Sequence, residues 1–429
     1  MRRTRVTATA AVVLGAALVL SGCGRGADGA TGGTDSGAGA AAEGKAEGVI
    51  EIWTAGGHAD NLQELAGPWL ADNPDASLKV TDIPWDQVIT KIQTATAAGT
   101  GPDIIMTGSD QTATVIGMGG FDKVPDGVYK ADDFYSAAID SVTGPDGTYA
   151  MPWYVETRFL FYRKDLAEQL GLSAPTTWED MKAMATAFKA RPGGTYGLSL
   201  PKPTESPAQV IVPFVAQAGG SMTDGEKWTI DTPEFIQALD FYAGFFTRGE
   251  APAETTDATF ENGGTPMFIS GPWMLDVYQE LIDKGTAPVD FTMDSVGYAV
   301  SPAGPGGNND QYIGGGNLGV FSAAKNKEAA WSLLSWMGEA EQQQAWYGLQ
   351  KELPANIAAG EDSAIQENPV TKTLMEQMKD TVAPPNYPAW SQISDLISKY
   401  SEQVARGELS SADAAKEIQA QADSIGFGW

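Results

Sequence analysis

Three short strand-like runs, "VIEIW" (49–53), "LKVTDI" (78–83) and "DIIM" (103–106), alternate with two stretches whose apolar residues recur at helical spacing. Asp60 is placed to cap the first helix, which carries Leu62, Leu65, Ala66, Trp69 and Leu70 on one face and stops at Asn73-Pro74. The second turns Val88, Ile89, Ile92 and Ala95 inward and ends at Gly99. A βαβαβ order leaves little choice but a parallel sheet with right-handed crossovers. Ligands of such open sheets lie beyond the carboxyl ends of the strands, which singles out the loops at 54–60, 84–87 and 107–112.

A second α/β lobe is predicted from Ala150 onward. "RFLFY" (158–162), "TPMFI" (265–269) and "VGYAV" (296–300) have the character of buried strands, and Leu318 to Phe321 returns to a strand. Thr177 with Asp180 three residues on forms a capping box, and Thr232-Pro233 starts another helix. Met181, Phe188, Phe235, Leu239, Phe246 and Trp331 have the spacing of core residues. The expected organisation is a leader over 1–22 and a tether over 23–48. Lobe I is expected over 49–154 plus 315–375, and lobe II over 155–314 plus 376–429.

The amino-terminal "MRRTRVTATAAVVLGAALVLSGC" combines three arginines, an apolar run from Ala10 to Leu20 and small residues before Cys23, the only cysteine of the chain. That pattern predicts a cleaved lipoprotein signal peptide with the Cys23 thiol acylated, so the exported domain has no disulfide. Residues 24–48 are almost entirely Gly, Ala, Thr, Ser, Asp and Glu, the composition of a flexible tether. Without the three leader arginines, 24 of the 27 basic side chains remain against 55 acidic ones, a net charge of −31. Such a surplus argues against nucleic acid and against adsorption to anionic lipid. About 380 residues exceed one typical core and agree with two lobes.

Phosphate and dinucleotide motifs are missing: "TAGGHADN" lacks the G-x-G-x-x-G spacing, and no P-loop pattern occurs. One histidine, His58, leaves no material for a two-histidine metal site or a histidine-based triad, and neither metal nor cofactor is expected. Five patches in order are more telling. They are "AAGTGPDIIMTGSDQ" (97–111), "YAMPWYVETRFLFYRKDLAEQLGL" (149–172) with "PTTWEDM" (175–181), "FENGGTPMFISGPWML" (260–275), "GGGNLGVFSAAKNKEAAWSLLSWM" (314–337) and "PPNYPAWSQI" (384–393). Over residues 49–429 the chain resembles family 1 extracellular solute-binding proteins, the maltose-binding-protein-like lipoprotein receptors of ABC importers for sugars. The resemblance implies a two-lobed periplasmic-binding-protein-like α/β fold with a hinge and a central cleft. It also implies sugar-binding roles for Asp110 and Gln111 of "GSDQ", for Glu156 of "YVETRF", and for Trp273 and Trp390 as aromatic plates. Gln111 stands where the family's pair has a basic residue, and His58 falls where it has a lysine.

Carbohydrate chemistry fits these choices, because a pyranose presents apolar C–H faces and a rim of hydroxyls that carboxylates and amides can grip in pairs. Trp153, Tyr154, Trp85, Tyr312 and Tyr387 lie in inferred loops or at strand ends, where each either forms a plate or packs core and hinge. Asn317, after three glycines, is either a ligand contact or turn chemistry, and His58 is a candidate hydrogen-bond donor. In "SGPW", Pro272 is expected in the first helical turn with Trp273 just after it. The expected function is a monomeric receptor anchored by Cys23 to the outer face of the cytoplasmic membrane. It would capture a sugar, most simply an oligosaccharide, close by hinge motion and deliver it to permease subunits. A receptor for another polar solute and a secreted glycoside hydrolase using Asp110, Glu156 and Asp86 are the alternatives.

Overall fold

A computed structural model describes residues 45–202 and 207–429. The leader, Cys23 and most of the expected tether lie outside these described residues. In chain order the elements used below are β1 (Gly48–Ala55), α1 (Ala59–Leu65), β2 (Ala76–Ile83), α2 (Val88–Ala98), β3 (Ile104–Gly108), α3 (Ser109–Gly117), β4 (Met151–Thr157) and β5 (Phe159–Arg163). They continue with α4 (Trp178–Ala190), α5 (Ala208–Gln217), α6 (Pro233–Thr247), β6 (Met267–Ser270), α7 (Trp273–Asp283), β7 (Val296–Ala299) and β8 (Gln311–Val320). The last are α8 (Lys327–Met337), α9 (Ala340–Gln350), β9 (Leu353–Pro354), β10 (Thr381–Val382), α10 (Trp390–Ala405) and α11 (Ser411–Ile425).

β1 pairs in parallel with both β2 and β3, as the alternation of strand and helix over residues 49–106 requires. The large sheet runs β9-β4-β8-β3-β1-β2, with β10 paired to β8. A smaller sheet has the order β6-β5-β7, all antiparallel. The chain passes from the large sheet to the small one between Thr157 and Phe159, so Arg158 is the single residue between the two ladders. β8 starts well before the Leu318 that marked it in sequence, because its first half is glycine-rich and carries no apolar alternation. β1 likewise begins at Gly48, and Ala46 is buried with its N–H donated to Asn73 Oδ1 at 2.8 Å. The last residues of the expected tether are therefore part of the fold.

Local chemistry explains where the helices start. Thr177 Oγ1 accepts from the Asp180 N–H at 3.1 Å while Asp180 Oδ2 accepts from the Thr177 N–H at 3.1 Å, the reciprocal pair a capping box needs. The Thr176 hydroxyl and N–H, which also donate to Asp180 Oδ2, hold that carboxyl below its usual range, with Thr177 adding to the effect. Thr232 caps α6 ahead of Pro233 from one side only, its Oγ1 accepting from the Phe235 N–H at 3.3 Å. α4, α5, α6, α10 and α11 enclose one apolar core, in which the Trp178 and Phe241 rings stack at 3.9 Å. A second core lies under the large sheet around Ile50, Ile104, Trp153 and Trp346.

Trp390 belongs to the first of these cores: it is 3% exposed and lies over Trp228, with ring centroids 6.3 Å apart. Trp390→Ala is expected to cost about 3–5 kcal/mol of unfolding free energy, the usual loss for deleting a buried indole. Urea denaturation measures it, and an unchanged midpoint would show that the indole contributes no core packing.

Candidate functional site

The register of β8 gathers the site. Gly314 lies opposite Glu156 of β4 and Gly316 opposite both Tyr154 of β4 and Gly108 of β3. Alternate residues of a strand share a face, so Tyr154 and Glu156 stand together beside Tyr312 and Gly314. The glycines are required by crowding: a Cβ on Gly315 would lie 2.2 Å from the Tyr154 carbonyl oxygen, and one on Gly316 2.3 Å from the Tyr154 ring. Asp110 and Gln111 follow β3 directly, in the first turn of α3. The carboxyl ends of β1 and β2 add the loop through His58 and the turn at Trp85.

Asp110, Glu156 and Glu352 form an acidic group around one guanidinium. Burial raises the Asp110 carboxyl, and the Tyr312 hydroxyl, the Gln209 amide and Arg158 pull it back down. Glu156 is pushed up to about 7, first by burial, with the charges of Glu352 and Asp110 adding to the rise and Arg158 and His58 opposing it. Arg158 Nη2 donates to Gln209 Oε1 at 2.5 Å, and its Cζ lies 5.7 Å from the centre of the Tyr312 ring. This bond joins the residue between the two sheets to α5. The Tyr312 hydroxyl is buried beside Asp110 yet makes no hydrogen bond of normal geometry. Burial drives that phenol well above its usual range.

His58 is a wall of this site rather than a free donor. It is 4% exposed, its Nε2 donates to Glu352 Oε1 at 3.0 Å, and its ring stands edge-on to Tyr154 and Trp346. Trp346 Nε1 donates to the other oxygen, Glu352 Oε2, at 2.8 Å. Lys351, just before, has φ 62° and is the one non-glycine residue with positive φ among those described. A side chain in the left-handed region costs roughly 1–2 kcal/mol. The strained turn ends α9 and aims Glu352 at His58.

Aromatic plates are fewer than the sequence suggests. Among the described residues only Trp85, Trp273 and Trp429 are exposed tryptophans, at 38%, 37% and 50%. Trp85 follows β2, with its ring edge 3.7 Å from where a Gly108 Cβ would stand. Trp273 follows β6, whose Ser270 pairs with Phe159 next to Arg158. The helix begins one residue later than expected, with Pro272 at the cap and Trp273 as its first residue. The indole folds back over Gly271, where a Cβ would lie 1.7 Å from the ring. The sequence motif is explained: glycine there makes room for the plate.

Several expected contacts lie elsewhere. Trp390 is buried in the core and presents no face to the cleft. Trp153 is 1% exposed and packs on Trp346 at 5.1 Å. Tyr387 stacks on Phe427 at 3.8 Å. Asn317 is 2% exposed and donates to Thr112 Oγ1 at 2.9 Å and Ser141 Oγ at 3.0 Å, a bracing role inside the large sheet. Gln111 spends its Oε1 on the Gly108 N–H at 3.2 Å, which closes its own helix cap. Asp86 is exposed on the turn after Trp85. Arg158, Gln209 and Glu352 were not singled out by sequence, since an arginine in a strand run, a glutamine in an apolar helix and a glutamate at a helix end have no local signature.

Residues 64–373 match the bacterial extracellular solute-binding protein family, and the chain belongs to that family. Among curated relatives, a putative binding protein of Brucella abortus is 26% identical, over 85% of this chain and 89% of its own length. A maltooligosaccharide ABC transporter solute-binding lipoprotein of Streptococcus pneumoniae is 23% identical, over 86% of each. Among solved structures, the GacH receptor of Streptomyces glaucescens, determined unliganded and with acarbose, superposes with a TM-score of 0.77 at 23% identity. That match covers 89% of this chain and 99% of GacH. The fold is thus the two-lobed α/β fold of maltose-binding-protein-like receptors.

Glu156 carries a pH signature. Its folded value, about 7, lies above the ordinary carboxyl value of 4.5, so the folded state holds more protons than the unfolded one between those limits. Stability contributed by this group is then full below about pH 4.5 and lost as pH rises towards 7. Glu156→Gln is expected to melt increasingly above wild type as pH goes from 4.5 to 7 and by a constant margin beyond. Thermal unfolding at spaced pH values reads this directly.

Proposed function

We propose that the protein is the carbohydrate receptor of an ABC importer, taking a sugar, most simply an oligosaccharide, between its two lobes. One observation carries the reading: Asp110, Glu156, Arg158 and Gln209 form a polar group, with the exposed indole of Trp85 beside it at the end of a large-sheet strand and the exposed indole of Trp273 just after the small-sheet strand whose Ser270 pairs with Phe159. Flat apolar plates on either side of paired carboxylate and amide groups suit a pyranose, with its C–H faces and rim of hydroxyls. Each such hydrogen bond adds about 1 kcal/mol net, so the group must act together. The maltooligosaccharide receptor of Streptococcus pneumoniae supports the same ligand class.

The hinge falls at Arg158, where the chain leaves the large sheet, at the start of β8, where it returns, and between β10 and α10, where it crosses again to the core of α4, α5 and α6. This choice moves the lobe boundaries a few residues beyond those expected from sequence. Closure about these three crossings presents the permease with a surface that differs between empty and loaded receptor, the condition for a ligand-dependent signal. The lipobox at Cys23 supports a monomer tethered to the outer face of the cytoplasmic membrane. The protein is a receptor and not an enzyme in this reading: the site's carboxylates lie among an arginine, an amide and a tyrosine suited to hydroxyl recognition.

Calorimetric titration with mono- and oligosaccharides tests the proposal, and silence across the panel contradicts it. Trp273→Ala is expected to weaken a binding sugar at least tenfold with the melting temperature unchanged, because the indole is a plate and not core. A lowered melting temperature with affinity retained would reverse that assignment.

A further inference from the structure

The polar group in the cleft has an imbalance that a neutral sugar does not correct. An ionised carboxylate only accepts hydrogen bonds, and while Glu352 has a donor on each oxygen, from His58 and Trp346, Asp110 and Glu156 meet beside it with fewer. Among the described residues nothing donates to Glu156. The one guanidinium present, Arg158, is already turned to Gln209 Oε1. The Tyr312 hydroxyl, on a residue 4% exposed, lies beside Asp110 without a hydrogen bond of normal geometry. Space above Glu156 is kept clear by Gly314, where a Cβ would approach Oε1 to 3.1 Å. Trp85 stands beside the same group, above Gly108.

Acceptors in surplus, a bare approach to one carboxylate and an exposed indole nearby are together the chemistry that receives an ammonium group. A sugar hydroxyl brings one donor and needs donors in return, whereas a protonated amine brings three and needs none. We infer that the ligand carries a protonated amine on one sugar unit, seated between Asp110 and Glu156 within reach of the Tyr312 hydroxyl. This inference rests on the carbohydrate reading and narrows it to amino sugars. A hydroxyl of the same unit then takes the remaining donor, Arg158 Nε, which is also buried without a partner. The positive charge offsets the burial and, beside it, the charges of Glu352 and Asp110 that oppose ionisation of Glu156. Arg158 alone does not, since Glu156 is still pushed up to about 7 in its presence.

The test is calorimetric titration of the full protein at pH 7 with matched oligosaccharides. On an α-1,4- and a β-1,4-linked glucan scaffold, one hydroxyl per unit is compared with a free amine and with its N-acetyl derivative. The amine form is expected to bind at least tenfold tighter than both partners on the scaffold that fits. Glu156→Gln should bring that preference close to unity, with the variant's melting temperature confirming that it is folded. Neutral or acetylated forms that bind as well as the amine overturn the amine inference and leave the sugar reading standing. Absence of heat with every saccharide overturns both.

Discussion

Insertion of β8, antiparallel, between β3 and β4 is the constraint on which the rest of this structure depends. It converts two distant segments, the turn after β3 and the end of β4, into neighbours across one strand. The glycines of "GGGN" permit that approach, and their lack of side chains leaves the face above Glu156 open. Shifting the pairing by one residue would turn Tyr154 and Glu156 to the opposite face and dissolve the site. The binding group is thus a property of sheet register before it is a property of any one side chain.

The same arrangement sets stability against function. Burying carboxylates is unfavourable unless charge or hydrogen bonds compensate, and here compensation is incomplete: one arginine serves Asp110 and Glu156, while Glu352 relies on His58 and Trp346. The left-handed Lys351 adds a further local cost. Two buried polar atoms without a partner, Arg158 Nε and the Tyr312 hydroxyl, lie in this one polar group, and such atoms are what a site prepared for a ligand retains.

The fold was legible wherever apolar spacing met a cap or a breaker. The parallel β1-β2-β3 unit, the Thr177 and Thr232 helix starts and the strands of the smaller sheet all announce themselves in this way. α5 does not, because "VIVPFVAQ" is apolar on every side and interrupted by Pro213, and β8 does not, because glycine carries no pattern. Of the site, Asp110, Glu156 and Trp273 were implied by the family resemblance of their motifs, and Trp85 and Tyr312 were visible as aromatic residues in inferred loops or at strand ends. Trp390 was misplaced since the local string "PAWSQI" is the same whether the indole meets ligand or Trp228. Glu352 and Gln209 reach the cleft through tertiary packing alone, which no spacing rule encodes.

The central claim is that one saccharide-binding cleft lies between the lobes, with Asp110 and Glu156 at its floor and Trp85 and Trp273 at its sides. A crystal structure of the protein grown with a saturating oligosaccharide that binds in solution tests it most directly. Sugar density against those carboxylates, with a pyranose face on at least one of the two indoles, is the predicted result. An oligosaccharide bound elsewhere, with these four side chains left untouched, would contradict it.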